Sequence, residues 1–522
     1  MLVLDYVVLI LFAMLMVGIA LYTRNRSKSV DDFLLAGKKG LNGWMSAFSY
    51  GTTYFSAVIF IGYAGKFGWN YGLSALWIGV GNALIGGLLA WKIMAKRTKN
   101  MTVRLGSKTM PEFFEKRYDS KSLKILSAII VFVFLIPYAS SVYNGLGNLF
   151  STLFNIDGTI IIIALAVITA LYLIFGGYFA TTLSDFVQGI IMLVGVIVMF
   201  VFFMVNANVN GFEGLSKLSQ ENYGLFSGFS VGDGNFLNSP LVMLVSLILL
   251  TSLGVYGLPQ TVHKYYSVRD KKAINQGMII TTIFALIVGV VAYFIGGLGH
   301  LFFTSQEGFA GNTDNIIPIM LDKVIPHGVL GLIGVLILSA SMSTLASVSL
   351  SSASVMSVDL YKGFINKEAD DKKVTFATRL VAFIFIAISV IVALLNNKYK
   401  ITAIAYLMGL SWGTLSGCFF GPFVLGLYSK KLTKAGALAS VIGGLVFTAV
   451  FTVLFGALSV DGGFSAGFGN VLKAGVGLSP LTGVLCMIFS VIITLVVSAF
   501  TKKPDEKVIY EAFDKPIENE II

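Results

Sequence analysis

Apolar residues in this chain come in long runs separated by short polar stretches, and a run of about 20 is what an α-helix needs to cross a bilayer. Thirteen spanning helices are predicted, near 4–22, 43–64, 72–95, 122–150, 158–176, 184–206, 239–260, 273–302, 328–360, 375–395, 402–427, 434–456 and 478–500. The loops between them alternate in charge. Of 37 Lys and Arg, 31 fall on the side reached after the first run, and only Lys66, Lys217, Lys323, Lys398, Lys400 and Lys473 on the other. Basic residues collect in cytoplasmic loops, so the pattern predicts a multi-pass protein of the cytoplasmic membrane with its N-terminus outside and its C-terminus inside. No Lys or Arg is predicted in the middle of a span, and Lys264 to Lys272 read as one cytoplasmic loop.

The stretches 206–238 and 303–327 read as external loops, and the residues after Phe500 as a short cytoplasmic tail. Two spans carry similar internal interruptions: Ser49-Tyr50-Gly51-Thr52-Thr53 in the second, and Thr251-Ser252-Leu253-Gly254-Val255-Tyr256-Gly257-Leu258-Pro259 in the seventh. They lie five spans apart, so two consecutive five-helix units would enter the membrane from opposite sides. That is the inverted-repeat plan of secondary transporters, whose broken helices hold solute and ion near the midplane. The predicted organisation is a leading transmembrane helix over 1–26, a ten-helix core over 42–430, two trailing helices over 431–500 and a tail over 501–522.

Composition narrows the function. Of 522 residues 56% are hydrophobic and 12% charged, where soluble domains carry about 25% charged residues; this excludes a soluble enzyme, a disordered chain and a collagen-like one. The net charge of +11 would suit a polyanion partner, but the basic residues follow topology, so nucleic acid is excluded. The partners implied are the lipid bilayer and a small-molecule solute, with no obligate protein partner. Cys418 and Cys486 sit in apolar runs and build neither a disulfide framework nor a thiolate metal site. The first run is followed by basic residues with no small-residue cleavage site, so a cleaved signal is not expected.

Ionisable groups inside a membrane are expensive and mark function. Only Asp185, at the predicted start of the 184–206 span, lies near the apolar zone; Asp5 and Asp359 stand at helix ends, and His263, His300 and His327 at termini or in loops. This supplies neither an aspartyl protease, nor a zinc site, nor a carboxylate proton relay. Hydroxyls are abundant instead. The 328–360 span carries Ser339, Ser341, Ser343, Thr344, Ser347, Ser349, Ser351 and Ser352, and Ala340, Ser343, Thr344, Ser347 and Ser351 share one helix face. Oxygen ligands suit a small hard cation. Small residues that let helices pack closely, with hydroxyls bonded back to their own helix, give the same pattern.

Several motifs resemble the sodium:solute symporters, whose members include proline, pantothenate, sialic acid and sugar carriers. They are Gly176-Gly177-Tyr178-Phe179-Ala180 followed by Asp185-Phe186-Val187-Gln188-Gly189, Met342-Ser343-Thr344 with Asp359-Leu360-Tyr361-Lys362, Gly254 to Pro259, and Gly426-Leu427-Tyr428. The resemblance spans about residues 30–445 and is closest to the pantothenate and proline branch. It implies an all-α, LeuT-like five-plus-five inverted repeat with one leading and two trailing helices. It also implies sodium as coupling ion, held by the carbonyls of Thr52, Phe55 and Ala340 and the hydroxyls of Ser343 and Thr344. A second sodium site of some relatives maps to Asp185, Ser343 and Ser347, but Ala346 replaces one expected hydroxyl. Tyr54, Val58 and Thr251 replace residues typical of proline carriers, which disfavours proline as solute.

Candidate solute-binding side chains lie near the two breaks and on helices facing them: Tyr54, Ser56, Tyr63, Tyr138, Tyr256 and Gln260. Buried aromatics at helical spacing also serve as packing. The function expected is sodium-coupled import of a small organic solute (a carboxylate, a vitamin such as pantothenate, or an amino acid), with no covalent chemistry. The alternatives are a proton-coupled or uncoupled carrier of the same fold, or a membrane solute sensor.

Overall fold

The computed structural model describes residues 2–23, 34–35, 40–231, 236–399 and 402–517. The basic stretch from Arg24, Lys38, Lys39, Lys400 and the end of the tail lie outside the described residues. Helices account for the architecture, and the one β-contact among the described residues is an isolated parallel bridge between Leu41 and Val268. Ten helices are long and apolar enough to cross a membrane, or eleven when the bent pair Pro240–Tyr256 and Pro259–Tyr266 counts as one. The sequence predicted thirteen. Part of the difference is the 48-residue segment Val58–Leu105, which at 1.5 Å per residue runs about 72 Å, more than twice the hydrocarbon thickness; Gly72, at φ +57°, breaks it. Gly158–Leu171 is a shorter apolar helix.

The leading helix α1 (Leu2–Thr23) is followed by the two halves of the first broken span, α2 (Gly43–Tyr54) and α3 (58–71), and by α4 (72–105). A short helix α5 (Met110–Tyr118) leads into α6 (Lys121–Phe154), α7 (158–176) and α8 (Gly177–Val205). Gly177, at φ 61° and ψ −163°, turns the chain between α7 and α8 in a single residue, a conformation open to glycine and hostile to side chains. The span predicted from 184 therefore starts seven residues earlier. Asp185 stands two turns inside a helix, which corrects the expectation of a helix-start residue.

The second half repeats the plan: α9 (Phe212–Gln220) lies in the first predicted external loop, then come α10 (Pro240–Tyr256), α11 (Pro259–Tyr266) and α12 (Lys271–Leu301). The second external loop holds α13 (Ile316–Val324), followed by α14 (Leu330–Ile365), α15 (Asp371–Tyr399) and α16 (Ile404–Leu427). The trailing elements are α17 (Lys434–Ser459), α18 (Phe468–Gly477) and α19 (Ser479–Phe500), and the tail ends in α20 (506–514). Helix α14 is the axis of the molecule, with 94% of its most apolar window buried, against 28% for α1 and 33% for α15, α17 and α19. The helices with exposed apolar faces form the rim presented to lipid.

Two devices fix the frame. Asp5 of α1 accepts from the backbone N–H of Gly328 (3.0 Å) and Gly331 (2.6 Å), capping the N-terminal end of α14. Asp359, near the other end of α14, accepts from Thr109 Oγ1 at 2.7 Å and lies 3.8 Å from Lys124 Nζ. Both acids are fully buried and both hold α14 in place.

Candidate functional site

The first break arises inside α2. Thr52 and Thr53 donate their hydroxyls to the carbonyls of Phe48 and Ser49, at 2.8 and 2.7 Å, back-bonds that weaken and bend a helix. Phe55 then turns extended (φ −105°, ψ 113°), and Ser56 Oγ accepts from Val58 N–H at 3.3 Å to restart α3. At the second break Leu258 is extended (φ −88°, ψ 119°) before Pro259, as a residue preceding proline must be. Pro259 opens α11, where its missing N–H costs no hydrogen bond. Side chains from other helices take up the freed carbonyls. Tyr54 donates to Thr251 O (2.7 Å) and Ser416 to Gly254 O (2.6 Å).

Helix α14 packs its predicted hydroxyl face onto the first break. Ser343 Oγ lies 2.9 Å from Thr52 O and 3.1 Å from Ala340 O. Thr344 Oγ1 lies 3.3 Å from the carbonyls of Thr52 and Thr53 and 3.1 Å from that of Ala340. Four of the five atoms expected to hold sodium thus converge, and Phe55 occupies the break itself. The donor set is uncharged, all-oxygen and fully buried. A cation of this size class takes oxygens at about 2.3–2.6 Å, which in octahedral placement sets neighbouring oxygens about 3.4 Å apart, so the cluster needs only slight spreading to admit one. The hydroxyls off this face behave differently: Ser341 bonds back to Ile337 O at 2.7 Å, and the buried Oγ atoms of Ser339, Ser349 and Ser352 have no partner.

Asp185 and Ser347 come together, but around a lysine. Lys264 Nζ of α11 lies 2.8 Å from Ser49 Oγ, 2.9 Å from Ser347 Oγ and 3.3 Å from Asp185 Oδ2. Ser49 donates to the same carboxylate oxygen at 2.6 Å, and Ser347 shares a 2.9 Å hydrogen bond with Thr53. Lys264 is 2% exposed and Asp185 0%. Lys264, read from the sequence as part of a cytoplasmic loop, is instead buried in a helix: the chain stays helical from Pro259 through Tyr266 and turns the lysine inward.

The solute candidates divide. Tyr138 packs edge-on to Trp412 and Tyr54 stacks on the same ring, at 5.7 and 6.0 Å between centroids. The Tyr63 hydroxyl is buried with no hydrogen-bond partner, the condition of polar groups reserved for a ligand or water, whereas the Tyr138 hydroxyl sits in a polar cluster with Ser56, Thr344 and Trp412. Tyr256 instead donates to Ile85 O at 2.9 Å, a packing role, as does Tyr50 to Gly86 O at 2.7 Å. Gln260 is separated from the aromatic group; it lines a small cavity with His263, Lys264, Ser347 and Ser351. Sequence reasoning missed Trp412, Lys264 and Asn82, whose Oδ1 accepts from Thr251 and Ser252 at 2.7 and 3.2 Å. A lone polar residue in an apolar run was the available signal for Asn82. Among the described residues no group of His, Cys, Asp and Glu is placed to hold a metal ion.

The family model described as the sodium:solute symporter family matches residues 33–444. The chain is 28% identical to the osmoregulated proline transporter OpuE of Bacillus subtilis (strain 168) over 502 residues, covering 94% of this chain and 93% of that one. It is 27% identical to a sodium/proline symporter of Staphylococcus aureus over 519 residues, covering 96% and 93%. Among solved structures it resembles a Na+-coupled sialic acid symporter with a TM-score of 0.75 at 17% identity, covering 96% of this chain and 99% of that one. The nucleobase-cation-symport-1 transporter Mhp1 aligns with a TM-score of 0.50 at 14% identity, covering 91% and 96%. These likenesses establish the LeuT-like fold.

Proposed function

Because the chain belongs to the sodium:solute symporter family, a family of transporters and not of enzymes, we propose that it imports a small organic solute by alternating access, driven by the inward sodium gradient. The observation that carries this reading is the convergence of the Ser343 and Thr344 hydroxyls on the Thr52 and Ala340 carbonyls. Helix α14 meets the first break there with uncharged oxygen ligands. A sodium ion bound at that point joins the two helices, so its occupancy biases which side of the membrane the broken helix opens to. In this reading the repeat core spans 42–430, with the N-terminus outside and the C-terminus inside.

The solute binds beside the ion, against Tyr63, Tyr138 and Trp412, where Tyr54 and Tyr138 pack on the Trp412 ring and the Tyr63 hydroxyl is buried without a partner. Amino acids and small carboxylates suit such a set of side chains: the rings would cover the apolar body, the phenol and indole groups would take the carboxylate, and the bound cation would balance its charge. The named relatives place amino acids first in the panel. Uptake of labelled amino acids and carboxylates into vesicles, in sodium and in choline medium at fixed pH, tests the reading. Sodium-dependent accumulation of one panel member is expected, and equal rates in the two media would overturn it.

A further inference from the structure

An ammonium has three protons to donate and no lone pair. Lys264 finds acceptors for all three, on Ser49, Ser347 and Asp185, within 3.3 Å. These partners belong to α2, α14 and α8, and two of them are residues that would otherwise hold a second sodium ion. A sodium ion asks of such a pocket what the ammonium already takes: one carboxylate charge and converging neutral oxygens. Two unit positive charges sharing one buried carboxylate repel strongly where no water screens them. The pocket is also one hydroxyl short for a metal ion, because Ala346 stands where that site needs an oxygen, whereas the ammonium is saturated without it. The second sodium does not fit this site as it is built.

We propose that Lys264 is a resident cation that permanently takes the place of a second sodium ion, so that the carrier binds a single sodium per cycle. The filled position abuts the sodium ligands: Thr53 accepts from Thr344 through its carbonyl at 3.3 Å and pairs with Ser347 through its hydroxyl at 2.9 Å. The tethered charge thereby supplies the electrostatic link between α2, α8, α11 and α14 that a diffusible ion would otherwise have to supply. The carboxylate keeps its other oxygen, Oδ1, buried and without a partner, available to a metal ion once the lysine is removed.

The assignment rests on the sodium-symport reading, and counting bound ions separates the two. Purified protein in lipid nanodiscs is titrated with radioactive sodium, without solute, and the ions bound per chain are counted. One is expected for the wild type and for Lys264→Arg, which keeps the charge. Two are expected for Lys264→Ala combined with Ala346→Ser, which frees the carboxylate and restores the hydroxyl. Two ions in the wild type, or one in the double variant, would overturn the assignment and leave the sodium reading intact; none in the wild type would overturn both. If the double variant does not fold, Asp185→Asn with Lys264→Met removes both charges at similar shape. It is expected to bind one sodium with wild-type affinity, and loss of that ion would show Asp185 to be its ligand and refute the assignment.

Discussion

Changing Ser343 and Thr344 together to Ala removes two of the oxygens gathered at the first break while leaving the backbone carbonyls of Thr52 and Ala340 in place. A hydrogen-bonding group acting on a charge is worth about 1.5–3 kcal/mol, and adjacent ligands of one ion do not add independently, so about 3 kcal/mol is a conservative loss. At 1.4 kcal/mol per tenfold that is about a hundredfold in sodium affinity. Sodium-induced stabilisation reads it without knowledge of the solute. At sodium a hundred times the wild-type Kd, binding stabilises the fold by about 2.7 kcal/mol, and a hundredfold weaker site leaves about 0.4 kcal/mol. Thermal unfolding in sodium against choline should therefore show a clear upward shift for the wild type and almost none for the double variant. The control is Ser349→Ala with Ser352→Ala, whose hydroxyls are equally buried but bonded to nothing; it should keep the full shift. Matching behaviour of the two double variants would refute the placement of the ion.

Asp185→Asn strands the Lys264 ammonium, and breaking a buried ion pair costs about 3–5 kcal/mol; folded yield should fall sharply, and recover when Lys264→Met is added, both read by size-exclusion chromatography. Asp5→Ala removes the cap on α14 and should destabilise the protein by about 0.5–2 kcal/mol in thermal unfolding; an unchanged transition would mean that the leading helix does not brace the core. Gly296→Ala would drive a methyl group into the backbone of Ala64 where α3 crosses α12, an overpacking of about 1–3 kcal/mol or more. Gly18→Ala in α1, with open space around it, should be neutral or stabilising in the same assay.

What the sequence disclosed and what it hid follow from the same physics. Long apolar runs and loop charge give the spans because lipid forces both, and the α14 hydroxyl face was legible because i, i+3, i+4 spacing is geometric. Gly177 hid a helix start: a turn made by one residue leaves no polar stretch to mark it. Lys264 was read as loop because it lies five residues before Arg269, six before Asp270 and five after Pro259, and a lysine at a membrane edge ordinarily turns its head to water. Only the missing hydroxyl at Ala346 hinted that something else filled the site. Trp412 was hidden for a different reason: nothing local distinguishes an aromatic that only packs from one set beside a break, and the difference appears only when α16 is set against Tyr54 and Tyr138.

The most direct test of sodium-driven transport is initial uptake into right-side-out vesicles, at one pH, with the membrane potential clamped, as external sodium is exchanged for choline at constant ionic strength. With the solute selected from the amino-acid and carboxylate panel, uptake should rise with sodium along a hyperbolic curve and fall to background in choline, and Ser343→Ala with Thr344→Ala should move the half-saturating sodium concentration up about a hundredfold. Uptake that is indifferent to sodium, but follows an imposed proton gradient, would contradict it.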